Sequence, residues 1–323
     1  MPLKYGRRPP KNAPALRLGP LLTGAVPAHP AAADYLAALG GGWKMLGNDE
    51  YGDCVAVTWA NVRRLMSATL GGAVDYPPQA QVIAFYKTQN PGFPAQDDGM
   101  DIQTALEYLA KTGGPDGVKA VAFAKVDHTN VDEVKAAIGI FGYVWTGIQV
   151  LDANMDEFNA GEPWDYVARS AIDGAHSVIT GGYGPAGAGP LGGDERFITW
   201  AAETSFTAAY WQHEVEECWV VIWPEHFGTK AFVDGVNVAQ LAADYQALTG
   251  RTLPVPAPPT PAPVPTPTPT PDQPTPADVA FAAVLNGTDR PGHPWIDEHH
   301  VAYNHKVQQA AISWLQAKGL YGD

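Results

Sequence analysis

The sequence predicts an α+β protein, with a proline-rich linker and a small helical module after its main body. Three observations carry this expectation. Segments with helical apolar spacing come first in the body and β-rich apolar segments come second, which argues against a doubly wound sheet. Residues 254–276 hold 12 of the chain's 30 prolines in near-alternation, a pattern that can build neither helix nor sheet ladder. The 323 residues also exceed one ordinary domain, taken as roughly 150 residues.

The elements follow in chain order. Residues 1–32 form a basic, Pro-rich arm: Lys4, Arg7, Arg8, Lys11 and Arg17 all precede the first acid, Asp34. Such an arm either lies extended on the protein's own acidic body or is a mobile tail. The body spans 33–250. Its helices are expected at Cys54–Leu70, where Val55, Val62, Leu65 and Met66 fall near one face before Gly71 and Gly72, and at Gln79–Lys87, Ile102–Lys111 and Val131–Ala137. Strands are expected at Gly142–Val150, Ser177–Tyr183, Phe197–Trp200 and Cys218–Trp223. The linker, 251–276, is read as a semi-rigid spacer. The module, 277–323, is read as a short helix over Asp278–Leu285 and a longer one from Ile296 to Lys318, with an apolar face suited to anchoring on a partner or on copies of itself.

Composition excludes several classes. With 46% hydrophobic and 17% charged residues the chain can bury a substantial core. A formal charge of −14 is unfavourable for nucleic-acid binding. Two cysteines, Cys54 and Cys218, rule out a disulfide scaffold and a Cys-only zinc site. No apolar run approaches membrane-spanning length, and the N-terminus lacks the apolar segment of a signal peptide. No metal is expected. His299, His300 and His305 are spaced one, five and six residues apart, not at the i,i+4 spacing of helical zinc ligands. The Gly-rich stretch 184–193 lacks the Lys-Ser/Thr and strand-to-helix setting of a phosphate loop, so no cofactor is expected and the stretch reads as a flexible hairpin connection.

Two segments carry chemistry. In Asn48-Asp49-Glu50-Tyr51-Gly52-Asp53-Cys54, a cysteine opens a helix after a Gly-containing turn. The partial positive charge of a helix N-terminus favours thiolate there; the competing reading is an inert buried Cys. Cys218, inside the apolar run ECWVVIW, reads as inert core. In His176-Ser177-Val178-Ile179-Thr180-Gly181-Gly182-Tyr183-Gly184, a histidine heads an apolar strand. A Cys followed far downstream by a His is the order a thiol hydrolase uses; the competing reading is a hydrogen-bonded or surface His.

Together these segments resemble the papain-like cysteine peptidases. The resemblance places an oxyanion residue at Asn48, Gly52 two before the nucleophile, the nucleophile at Cys54, Ala56 two after it, and the catalytic His at the head of HSVITGGYG. It extends through Asp75–Gln89, Asp97–Gly114 and Val131–Val150, and covers about Leu46 to Trp223. Within the family, the N-terminal runs KYGRRPPKNAPALRL, LTGAVPAHP and GNDEYGDCVAV are similar to papain-like proteins of actinobacteria and their phages. The resemblance implies a two-lobe fold, a helical lobe followed by an antiparallel β lobe. It implies a substrate groove involving Gly52, Asp53, Asp98, Gly99, Met100, Asp101 and Trp200. DGMD (98–101) either favours basic substrate side chains or is a solvated turn.

The departures from the family are specific. Asn48 stands where the family has Gln, with one methylene less reach. Val55 stands where Trp often follows the nucleophile. The orienting Asn falls at Ile198 if the Trp residues align, or at Thr199 with a one-residue shift; a Thr hydroxyl can accept from the imidazole. The resemblance implies a thiol hydrolase acting on a protein, a peptide or a peptidoglycan stem peptide. The rival expectation is a virion component, a minor capsid or tail protein with weak or lost catalysis, anchored through 277–323. The location expected is accordingly cytoplasmic or virion-associated.

Overall fold

A computed structural model describes residues 3–24, 29–71, 75–184 and 194–255. The chain divides into two units, Met1–Pro256 and Ala257–Asp323. The second unit, with most of the linker and the helices expected at 278–285 and 296–318, lies outside the described residues. So does Gly-rich 185–193.

Three helices precede the main sheet. α1 (Cys54–Leu70) is buried along its first three turns and ends at Gly71. α2 (Gln79–Tyr86) follows Pro77-Pro78. α3 (Ile102–Lys111) starts at Asp101, whose side chain accepts the Thr104 N–H at 2.6 Å and so satisfies one of the free donors of the first turn. The later helices are α4 (Val131–Phe141), α5 (Asp152–Ala160), α6 (Ala208–Glu214), α7 (Lys230–Gly235) and α8 (Val238–Thr249). α4 is capped by Asn130 and stopped by Gly142 at φ +80°, a left-handed conformation that glycine adopts without steric cost.

The strands are β1 (Leu16–Arg17), β2 (Ala33–Asp34), β3 (Ala122–Val126), β4 (Val144–Leu151), β5 (Ile172–Tyr183), β6 (Glu195–Thr199), β7 (Ala202–Phe206) and β8 (Val215–Ile222). They pair in the order β1-β3-β8-β4-β5-β6-β7, with β2 added to β5. All pairings are antiparallel except β1 with β3.

Side chains alternate across a strand, and here both faces of the sheet are covered. Trp145, Ile179, Trp219 and Val221 enter one core with α1, α2 and α3. Val144, Ile148, Val178, Val220 and Ile222 enter the other with α4, α7 and α8. Cys218 belongs to the second core and is buried. Among the described residues no helix is long and apolar enough to cross a membrane. The packing that matters for chemistry is that of α1 against β5, because each carries one of the two chemistry-bearing segments.

Candidate functional site

A short buried polar chain fixes α1 against β5. Trp145 Nε1 donates to Ser177 Oγ at 2.8 Å, and Ser177 Oγ lies 3.0 Å from Thr58 Oγ1. Thr58 also donates to the carbonyl of Cys54, one turn earlier, at 2.9 Å. Ser177 follows His176 directly, so this chain locks the register between the first turn of α1 and the residue next to His176. Cys54 is the first residue of α1, one turn before Thr58.

His176 sits between two elements. One ring nitrogen, Nε2, lies 2.9 Å from Thr199 Oγ1 at the end of β6. The ring stacks on the Trp200 indole at 4.6 Å between centroids, and Tyr5 meets it edge-on at 6.1 Å. With Nε2–H donating to Thr199, the lone pair on Nδ1 has no partner among the described residues. Trp200 and Ala201 form the two-residue turn between β6 and β7, both with positive φ, +43° and +62°. Such a turn normally takes Asn or Gly, so Trp200 is held in an unfavourable conformation with its ring over the imidazole.

The electrostatics are those of a dry site. Cys54 is 0% exposed and His176 1% exposed. Burial pushes the Cys54 thiol up to about 12 and the His176 imidazole down to about 3. The Arg7 guanidinium pushes His176 down further and pulls Cys54 slightly back. Both groups are therefore neutral near pH 7. Burial raises Asp53 to about 8, against its own backbone N–H and the Asn48 amide, which favour the charged form. Asp53 precedes α1 but its side chain does not cap it.

The remaining sequence-predicted residues surround a groove, and the chain's own arm lies in it. Asn48 is buried; its Nδ2 donates to the Lys4 carbonyl at 3.3 Å and to the Tyr51 carbonyl at 3.1 Å. Trp200 Nε1 donates to the same Lys4 carbonyl at 3.3 Å. Gly6 N–H and Arg7 N–H both reach the Ala175 carbonyl, at 3.3 and 3.1 Å. Met100 N–H donates to the Gly6 carbonyl at 2.7 Å, and Arg8 N–H to the Met100 carbonyl at 2.8 Å, an isolated parallel bridge between Arg7 and Met100. Glycines make the approach feasible: a Cβ on Gly6 would stand 1.9 Å from the Gly52 carbonyl oxygen, and one on Gly99 2.0 Å from the Gly6 oxygen. Gly52 N–H is held by Asp97 at 3.0 Å, and Gly99 N–H by the Tyr86 hydroxyl at 3.0 Å, which fixes both walls.

The structure thus sets His176, Thr199, Asn48, Gly52, Gly99, Met100 and Trp200 around residues 4–8 of the arm, and joins Cys54 through Thr58 to Ser177, the residue after His176. Asp98 is exposed and bonds Gln96; Asp101 caps α3 through Oδ1, while its Oδ2 is buried without a partner among the described residues and its charge acts on Glu217. Sequence reasoning missed Thr58, Ser177 and the pair Glu216 and Glu217, which receive Arg7. The one available signal for the pair was adjacent acids at the start of an otherwise apolar strand, opposite a basic arm.

No protein-family model matches the chain, and no curated protein matches it. Among solved structures, xylellain, a cysteine protease from Xylella fastidiosa, is similar at a TM-score of 0.51 and 14% identity, over 69% of this chain and 98% of that one. A proCathepsin B from Trypanosoma congolense gives 0.45 at 14% identity, over 68% and 80% of the two chains. A procathepsin L2 from Tenebrio molitor larval midgut gives 0.43 at 16%, over 68% and 74%. The last two scores are too low to add to the assignment. Identity this low makes the likeness to xylellain one of fold: the body has the fold of a papain-like cysteine protease.

Proposed function

We propose that the chain is a thiol hydrolase of peptide bonds whose site is closed by its own N-terminal arm. The supporting observation is a joint one. Cys54 opens α1, joined through Thr58 to the residue after His176, and the groove beside them already binds an extended peptide segment, residues 4–8, through backbone hydrogen bonds.

In this reading His176 Nδ1 takes the Cys54 proton, and the thiolate sulfur attacks the scissile carbonyl carbon. The Asn48 amide and the Cys54 backbone N–H donate to the oxyanion. Collapse breaks the C–N bond, the amine leaves with the proton from His176, and a thioester remains. Water, deprotonated by the same imidazole, attacks the thioester and releases the acid and the thiol. Thr199 holds the ring angle and tautomer, and Trp200 shields that hydrogen bond.

The test displaces the arm without altering the site. In Gly6→Val the new side chain collides with the Gly52 carbonyl, so the arm cannot seat. Iodoacetamide labelling of Cys54 should become rapid at a pH well below the ordinary thiol value of about 8.5, and slow again in Gly6→Val with His176→Ala. Buried Cys218 is the internal control. Labelling that rises only near pH ~8.5 and ignores the histidine would sink the proposal. That outcome is what a second reading requires, a displayed body without catalysis, which the complete burial of Cys54 and His176 favours.

A further inference from the structure

One wall of the groove, residues 97–101, is not a strand of the sheet; its bridge is to Arg7 of the arm. Its backbone groups need partners from elsewhere, and side chains at the end of α2 and just beyond it supply them. Asn90 Oδ1 accepts the Asp98 N–H at 3.0 Å, and Asn90 Nδ2 donates to the Gly99 carbonyl at 2.9 Å. Gln89 Oε1 accepts the Asp101 N–H at 3.0 Å, and Gln89 Nε2 donates to the Asp101 carbonyl at 3.0 Å. The Tyr86 hydroxyl takes the Gly99 N–H. Within 99–101, Met100 alone has both its N–H and its carbonyl on the arm. The end of α2 therefore leaves one residue of this wall open to an extended peptide.

The same tyrosine reaches across to the nucleophile loop. Tyr86 OH donates to Asp97 Oδ1, and that one oxygen also accepts the Gly52 N–H at 3.0 Å. Gly52 lies two residues before Cys54. The path from Gly52 through Asp97 and Tyr86 to Gly99 thus joins the loop that presents Cys54 to the backbone beside Met100. Burial and the Asp97 bond push the Tyr86 phenol well above its ordinary value, so it remains a donor at any working pH. We propose that Asp97 and Tyr86 are positioning residues: Tyr86 holds the wall that grips the peptide, and Asp97 fixes that wall's distance from the Cys54 sulfur. Neither touches the reacting atoms. A misplacement of about 1 Å can cost on the order of 100-fold in rate, and this wall has no strand ladder to resist one. The role rests on the thiol-hydrolase reading for its consequence.

The test compares two reagents for the Cys54 sulfur in the Gly6→Val chain. Iodoacetamide needs no groove. Acetyl-trialanyl chloromethyl ketone must first seat its backbone on Met100; the sulfur then bonds its methylene carbon and chloride leaves. Asp97 is exposed, so its replacement leaves the core intact. Asp97→Ala should slow the peptidyl reagent roughly 10-fold or more and change iodoacetamide labelling by less than about twofold. Asp97→Asn keeps an oxygen acceptor and should recover most of the loss. Tyr86→Phe should act on binding instead, raising the half-saturating concentration of the peptidyl reagent roughly fivefold. The lost charge of Asp97 also acts on Asp53, beside Cys54, but that moves both reagents alike, so the ratio of rates isolates alignment. Equal slowing of the two reagents, or no slowing of either, overturns the positioning role and leaves the hydrolase standing. No labelling of Cys54 by either reagent in the Gly6→Val parent removes the hydrolase and this role with it. If Gly6→Val fails to fold, Tyr5→Ala loosens the arm in its place, and the same ratio decides.

Discussion

Replacing Ser177 by Ala removes the hub that fixes α1 to β5. Ser177 Oγ accepts from Trp145 Nε1 at 2.8 Å and lies 3.0 Å from Thr58 Oγ1, and all three residues are buried. In the variant the buried indole N–H loses its acceptor, which costs about 1–3 kcal/mol. For a body of this size that is a fall of roughly 2–4 °C in Tm per kcal/mol. Thr58→Val is the graded control. It loses one neutral hydrogen bond to Ser177 and the bond to the Cys54 carbonyl, but leaves Trp145 satisfied, so it should cost less, about 0.5–1.5 kcal/mol. The double variant should cost less than the sum of the singles by ~0.5 kcal/mol or more, because the two share one bond. Urea melts followed by tryptophan fluorescence measure all four proteins. Ser177→Ala within about 0.5 kcal/mol of wild type would refute the idea that this chain of hydroxyls sets the register of the site.

The other predictions come from the same geometry. Stability should be greatest over roughly pH 4.5–6.5 and fall on both sides. His176 and His226, each held near 3 by burial, are neutral when folded but protonate in the unfolded chain below pH ~6.5, so they lose stability as pH falls. Asp53, raised to about 8, and Glu195, raised to about 7, stay protonated when folded while the unfolded chain ionises, so they lose stability as pH rises. Between those limits the two pairs oppose each other; above pH ~7 Asp53 alone gives a slope of about 1.4 kcal/mol per pH unit, and Asp53→Asn should flatten that limb in denaturant melts at stepped pH. Thr199→Val in the Gly6→Val background should lower hydrolysis roughly 10- to 100-fold while Tm moves little, since the Trp200 stack remains; unchanged kcat/KM would remove Thr199 from the orienting role. Ala201→Gly should stabilise the chain by up to ~1 kcal/mol by relieving its positive φ, and a fall in Tm would show that the turn carries no strain.

How much was legible in the sequence depended on how local the cause was. α1 and α3 run over the expected residues because each combines apolar spacing with a stop signal, Gly71 for α1 and Lys111-Thr-Gly for α3. α4 outruns its expected end at Ala137 because its stop is Gly142, and the apolar Ile138, Ile140 and Phe141 continue its buried face. β5 starts at Ile172, five residues before Ser177, since Ile172, Gly174 and Ala175 pair with β4 around a register shift at Asp173, and this stretch carries no apolar alternation. β3 and α5 to α8 were not read from the sequence. α8 carried the usual signals, an Asn237 cap and Gly250 at φ +71°, whereas the five residues of β3 are too short to show a period. Cys54, His176 and Thr199 could be named because linear motifs mark them. Glu217 could not, because its burial is decided by Arg7, 210 positions away. The groove residues were legible, but not that residues 4–8 fill the groove, since extended arm and mobile tail have the same composition.

That filling bears on the charge state of the site. In the closed chain a thiol near 12 and an imidazole near 3 are separated so widely that proton transfer from Cys54 to His176 is strongly uphill. Burial is the larger cause of both shifts, and the arm supplies part of that burial: Tyr5 packs on His176 and Trp200, and Lys4 takes the Asn48 donor. Arg7 adds a positive charge that further disfavours imidazolium. Withdrawing residues 4–8 therefore hydrates His176 and removes the Arg7 charge, so the imidazole rises, while the loss of Arg7 takes away a charge that lowers the Cys54 thiol; the imidazole is the group the arm holds down. On the proposed reading, access and reactivity are governed by one event. A closed chain is then inert for two independent reasons, an occupied groove and an uncharged pair, and a variant that admits small reagents without expelling Tyr5 and Arg7 should remain slow to alkylate.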